Sequence, residues 1–333
     1  MHISIALSIV VALSQTPGSA PKSKAAGAPH APDALELQVM LDRAGFSPGA
    51  IDGRMGANTK KALAVFQKNG NEGTPSVEAT TKYRITAEDA AGPFIERMPT
   101  DMMEMAKLPA LGYTSLLEAL SERFHSTPAL LRQLNPGVTF AADQEIQVPN
   151  VEPMVLPAPP APKEPAAKDA AGRGTAGRGT PQARGSAAAQ LEAPQKPDVV
   201  VTVAKSSSAL TVTDATNRVL LYAPVTTGSE HDPLPIGEWK VTGLTFNPTF
   251  RYNPDLFWDA EPSHTKATIP QGPNNPVGLV WIDISKEHYG LHGTPEPATI
   301  GRTQSHGCVR LTNWDALKLA SFVKPGTRVV FTE

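Results

Sequence analysis

Residues 151 to 197 divide this chain. Of these 47 residues, 26 are proline, alanine or glycine and none is aromatic, so the stretch lacks the apolar surface that a folded core requires. The pentapeptide Ala-Gly-Arg-Gly-Thr occurs twice within it, at 171–175 and 176–180. A coil of that length spans about 40 Å end to end, stiffened locally by its prolines. The chain is therefore expected to fold as two halves joined by a linker, the second mechanically independent of the first. Its 333 residues leave room for two or three domains.

The formal charge is −2 and no cluster of Lys or Arg forms a stripe, which argues against nucleic acid as a partner. An apolar run from Ile3 to Leu13, followed by Gly18-Ser19-Ala20, is too short to span a bilayer. It fits the apolar part of a secretory signal over residues 1–20, although only His2 precedes it. The expectation is an exported protein of the periplasm or cell wall, with no lipid anchor and no membrane span. The oligomeric state is not legible.

In the first half, residues 34 to 68 read as helix, turn, helix. Leu35, Val39 and Met40 form one apolar stripe, and Ala62, Leu63, Val65 and Phe66 a second that begins at Asn58-Thr59. The intervening Asp52-Gly53-Arg54-Met55-Gly56 resembles the Asp-Gly-x-x-Gly signature of small helical peptidoglycan-binding domains, which implies such a domain over 34–92. Residues 112 to 150 resemble a lysin-motif module: Ser115-Leu116 leads into one helix, Thr127-Pro128 starts another, and Ile146-Gln147-Val148 closes as a strand. Gly112-Tyr113-Thr114 stands where that family opens with Gly-Asp-Thr, so the resemblance implies the fold rather than retained sugar binding. Residues 70 to 111 are poorly determined by their pattern.

The second half is patterned as strands. Val199 to Val203, Leu210 to Thr213, Val219 to Tyr222, Ile236 to Thr242, Val280 to Ile284 and Arg328 to Phe331 are β-branched or alternating runs separated by turn residues. One helix is clear, starting at Thr312-x-x-Asp315 and carrying Trp314, Leu317 and Phe322. The fold class is mainly β, with small α-helical and α+β modules ahead of it. A segment from Thr245 to Pro276, with Phe250, Tyr252, Phe257 and Trp258, is too aromatic for a linker. A flap over a site and packing on a sheet edge are both compatible with it.

The chemistry concentrates in Ser305-His306-Gly307-Cys308-Val309-Arg310, which holds the chain's single cysteine. A lone cysteine cannot close an internal disulfide, and its polar neighbours argue against apolar burial, so it reads as a candidate nucleophile. Two histidines compete as its base. His306 is two residues away, and its ring can point away from the sulfur. His292 ends the run Tyr289-Gly290-Leu291-His292, and strand alternation turns its side chain opposite Tyr289 and Leu291. That makes His292 the better base, with Gly293 allowing a sharp turn and a nearby carbonyl free to hold its other nitrogen. The Gly307-Cys308 amides are natural oxyanion donors. His292, His306 and Cys308 are zinc-ligand types, but no paired ligand spacing supports a zinc site, and no metal or cofactor is expected. His264 and His288 read as ordinary surface or loop residues.

His292-Gly293-Thr294 together with Ser305-His306-Gly307-Cys308-Val309-Arg310 resembles the signature of the YkuD-type L,D-transpeptidase catalytic domain. The likeness runs over 198–332 and includes Pro235-Ile236-Gly237-Glu238, Asn247-Pro248-Thr249 and Gly272-Pro273-Asn274-Asn275-Pro276. The resemblance implies a β-sandwich and peptidoglycan stem peptides and glycan as partners. It implies attack by Cys308 on the third-residue carbonyl of a stem, loss of D-Ala, and transfer to an amine to give a 3→3 crosslink. Carried over by position, His292 is the base, His306 and Gly307 shape the oxyanion pocket, Ser305 supports the turn, and Arg310 anchors a substrate carboxylate, unless it pairs internally with Asp315. Water as acceptor would make a carboxypeptidase, and a lysine of an envelope protein would make an attachment enzyme. An idle wall-binding protein is the rival of another class.

Overall fold

The computed structural model describes residues 33–71, 77–157 and 196–333. The expected signal segment and most of the linker lie outside these described residues.

Two helices open the chain, α1 (Ala34–Arg43) and α2 (Ala57–Lys68). Asp33 caps α1 by accepting from the Glu36 amide, and Phe46 packs edge-on against Phe66 to close the pair. Gln38, buried, donates to Asp52 and Thr59 and accepts from the Gly53 amide, so one side chain organises the Asp52-Gly53 turn.

Next come β1 (Thr80–Arg84), α3 (Ala87–Ala91), α4 (Met102–Met105), α5 (Leu116–Arg123), α6 (Pro128–Leu134) and β2 (Glu145–Pro149). Strands β1 and β2 pair antiparallel, Thr80 opposite Pro149 and Arg84 opposite Glu145. The boundaries drawn from the pattern, at 92 and 112, therefore cut through one βααβ unit. Its first strand lies in the stretch assigned to the helical domain, and an insertion carrying α3 and α4 separates it from α5. Alternation in Thr80–Arg84 is weak because this strand's side chains are mostly half-buried or exposed.

The second half is mainly β, as its patterning predicts. Its strands are β3 (Val200–Ala204), β4 (Ala209–Thr213), β5 (Val219–Pro224), β6 (Gly237–Phe246), β7 (Phe250–Tyr252), β8 (Ala267–Ile269), β9 (Val280–Ile284), β10 (Gly290–His292), β11 (Val309–Arg310) and β12 (Arg328–Thr332), with α7 (Asn313–Phe322) between the last two. Eight of them form one sheet in the order β11-β10-β9-β6-β12-β3-β4-β5. The expected two-layer sandwich is thus built from a single curled sheet. Strand β6 does the bending: its first residues pair with β12, the rest pair with β9, and the register shifts between Val241 and Gly243. One core gathers Val201, Leu210 and Leu221 from one arm with Ile282, Leu291 and Val309 from the other. Helix α7 adds Trp314 and Leu319, each worth about 1.5–3 kcal/mol of burial.

The two halves are not independent. Ser47 donates to Asp315 (2.9 Å), Asn313 donates to Glu122 (2.7 Å), and the His125 ring stacks on Trp314 at 5.1 Å. Val151 and Met154, inside the expected linker, pack into the cores on either side, and Lys196 donates to the carbonyls of Ala320 and Val323. The ends of the expected linker are pinned, and the modules it joins are docked.

Candidate active site

Parallel pairing of β10 with β11 sets Leu291 beside Val309 and His292 beside Arg310. Alternation then fixes the faces: Leu291 and Val309 enter the core, while Cys308, His292 and Arg310 share the opposite side. Cys308 precedes the strand by one residue, so it lies beside Gly290, one pleat from His292. The turn before it needs glycine, because Gly307 has φ +101° and a Cβ there would meet the Tyr289 ring at 2.6 Å. Buried Ser305 ties the turn from inside, its hydroxyl donating to the Cys308 carbonyl at 2.6 Å and its amide to the Thr227 carbonyl.

His292 is buried, and its Nδ1 lies 2.6 Å from the Gly293 carbonyl. A carbonyl only accepts, so Nδ1 carries the proton and Nε2 is left with its lone pair. Burial, reinforced by the Arg310 charge, pushes the imidazole down to about 3, so it is neutral at pH 7. Trp281, across the β9–β10 ladder, stacks on this ring at 5.4 Å and lies where a Cβ on Gly290 would stand. Behind the turn, the Asn313 amide oxygen accepts from the Leu279 amide and would be 2.1 Å from a Cβ on Gly293. Gly293 is therefore required by close packing.

The Cys308 thiol is half-buried and points toward the His288 carbonyl at 3.7 Å. Burial pushes it up to about 11, with the Gly290 amide and Arg310 pulling the other way. Arg310 has no ion-pair or hydrogen-bond partner for its guanidinium among the described residues; Asp315, its alternative mate, is held by Ser47 and Thr312. Its charge favours a thiolate and opposes an imidazolium.

His306 is engaged by the aromatic segment. Its Nε2 meets Asp259 at 2.8 Å, and its ring packs against Phe257 (5.0 Å) and Trp258 (6.0 Å). The aromatic segment is thus joined to the cysteine turn through His306, with Trp258 largely exposed and stacked on His231. His264, read as a surface or loop residue, lies in a loop and is half-buried between Tyr252 and Asp101. Trp281, Asn313 and Asp259 were missed. Only the β9–β10 register could have pointed to Trp281, and nothing local marks the other two.

Residues 198–331 match the family described as the L,D-transpeptidase catalytic domain, and residues 30–71 match a peptidoglycan-binding domain family. Among similar proteins, the L,D-transpeptidase-family protein YkuD of Bacillus subtilis is 33% identical over 152 residues, covering 44% of this chain and 77% of that one. YqjB of the same organism is 32% identical over 148 residues, covering 43% and 76%. YbiS of Escherichia coli, of the same family, is 37% identical over 123 residues, covering 35% of this chain and 39% of its own. With a thiol, an imidazole and a guanidinium on one face of the matched segment, the chain belongs to the YkuD-type L,D-transpeptidase family.

Proposed function

We propose that the protein is a cysteine-dependent L,D-transpeptidase of peptidoglycan, exported to the periplasm or cell wall. The observation that carries this reading is the β10–β11 register, with His292 held by Gly293 in the tautomer that leaves Nε2 free. The thiol and the imidazole are both neutral at pH 7, so proton transfer from Cys308 to His292 Nε2 accompanies attack rather than preceding it. The sulfur adds to the third-residue carbonyl of a tetrapeptide stem, and the Gly307 and Cys308 amides receive the developing oxyanion. The C–N bond then breaks, D-Ala leaves with the proton returned by His292, and a thioester remains. An acceptor amine adds to the thioester, His292 takes its proton, and the C–S bond breaks to give a 3→3 crosslink.

Arg310 is the anchor for a substrate carboxylate, since its fork has no carboxylate partner of its own among the described residues. Ser305 holds the turn, and His306 acts through the loop. Incubating the protein with a purified disaccharide-tetrapeptide and weighing the products tests this reading. A crosslinked dimer that disappears in Cys308→Ala is the expected result. Tripeptide alone would make the protein a carboxypeptidase, and unchanged substrate would overturn the reading.

A further inference from the structure

The insertion between β1 and α5 is tied to the βααβ unit through its first part, where Asp89 of α3 accepts from Tyr83 and Arg123. Residues 93–114 instead run along the aromatic segment of the second half and are joined to it at three places. Leu111 exchanges backbone hydrogen bonds with Gln271 (2.8 Å) and Asn274 (3.0 Å), and a Cβ on Gly272 would stand 2.2 Å from the Leu111 carbonyl oxygen. The Asn274 amide donates to the Gly112 carbonyl and to Glu118. At the far end, Asp101 Oδ1 caps α4 while its Oδ2 accepts from His264 Nε2 at 2.9 Å, and His264 Nδ1 accepts from the Tyr252 hydroxyl at 2.8 Å. Between these points, Met98, Met102, Met103, Met105 and Leu108 pack with Tyr252, Ile269 and Phe257. The segment so held then grips the cysteine turn, Asp259 bonding His306 while Phe257 and Trp258 pack on its ring.

Resting on the transpeptidase reading above, we infer that residues 93–114 are a clamp that sets the flap 250–269 over Cys308, with Asp101 and His264 as positioning residues acting through Asp259 and His306. The physical case is that a two-stranded ribbon such as β7–β8 is marginal by itself, so its position must come from what it packs against. The insertion supplies its apolar packing partners Leu111, Met98, Met102, Met103, Met105 and Leu108. The reacting groups need placement to well under 1 Å, so a wall of the site held from another module is part of the site's geometry.

The test uses the full chain carrying Asp101→Ala or Asp101→Asn. Three quantities are read: hydrogen exchange over 250–269, the pH profile of Cys308 alkylation by iodoacetamide, and turnover of tetrapeptide stems. Asp101→Ala removes both the cap and the His264 bond. It is expected to speed exchange in the flap, move the alkylation profile, and lower kcat/KM by about tenfold, mostly in kcat. Asp101→Asn keeps its oxygen for the α4 cap and turns its NH2 to His264, whose other tautomer accepts at Nε2 and donates from Nδ1–H to the Tyr252 oxygen. It is expected to stay within about twofold of wild type. If Asp101→Ala fails to fold, His264→Leu, which loses both bonds but keeps bulk, is read in the same way. Exchange and alkylation unchanged from wild type, or Asn as impaired as Ala, would overturn the clamp. Those two readouts need no assumption about substrate, so a wild-type protein inert toward stems would sink the transpeptidase reading while still deciding this one.

Discussion

A thiol pushed up to about 11 beside an imidazole pushed down to about 3 holds its proton on sulfur at neutral pH. The expected alkylation profile of Cys308 with a small neutral reagent therefore rises with an inflection above the ordinary thiol value near 8.5, with no plateau at low pH. Replacing the neighbours separates their roles. His292→Ala is expected to cut turnover by at least about a hundredfold, the range for loss of a general base, while leaving the alkaline limb of alkylation in place. His306→Ala is expected to do less. A low-pH alkylation plateau would mean a preformed ion pair, and full turnover by His292→Ala would remove it as the base. At this scale the chemistry was legible because thiol, imidazole and turn-forming glycines sit in two short runs. Trp281, Asn313 and Asp259 were not, because they reach the site only through strand register, helix docking and the flap.

Helix α7 is the element on which the halves meet. Its first turn carries Asn313, Trp314 and Asp315, and these face Glu122, His125 and Ser47. Burial pushes both Asp315 and Glu122 up to about 7, while Asp42 beside His125 holds that imidazole above its usual value against burial. The sign follows from proton counting. Each raised group binds its proton more tightly folded than unfolded, so its contribution is full below the unfolded value and is lost as pH rises through the folded one. For the two acids that window runs from about 4 to about 7. His292, depressed, acts in the opposite direction below 6.5, so the informative measurement is a difference. The Tm of Asp315→Asn relative to wild type is expected to rise by about 3 °C or more between pH 5 and pH 8. A constant difference would show that Asp315 does not titrate in this window. The helix itself was readable from Thr312 and Asp315, a capping pattern that the structure keeps. Its polar outer contacts were not, because buried carboxylates leave no periodic trace.

At the scale of the whole molecule, the composition of 151–197 predicts a second half that works alone. The docked face changes that expectation. Residues 196–333 without the first half would expose Trp314 and leave the flap without Leu111 and the methionines that pack on it. Produced as two separate pieces, 33–157 and 196–333 are expected to co-elute on size exclusion, because Ser47, Glu122 and His125 of one pair with Asp315, Asn313 and Trp314 of the other. The second piece alone is expected to lose about tenfold or more of its turnover on soluble stems, a substrate for which wall targeting is irrelevant. Separate elution with full turnover would restore the independent-domain view. Composition is informative about what cannot fold and silent about what docks, and the strand β1 shows the same blindness, since its partner lies some sixty residues away.

Pinning at Met154 and Lys196 also alters what the intervening residues are for. A tether is tuned by its length, because length sets the volume its cargo can search. A segment fastened at both ends is instead a closed loop, whose entropy changes with the logarithm of its length. For a stretch whose Pro, Ala and Gly composition marks it as coil, doubling the length would cost only about 0.6 kcal/mol. Selection on folding therefore has little grip on how long this stretch is, and a duplicated Ala-Gly-Arg-Gly-Thr is the kind of copying accident such a loop can absorb.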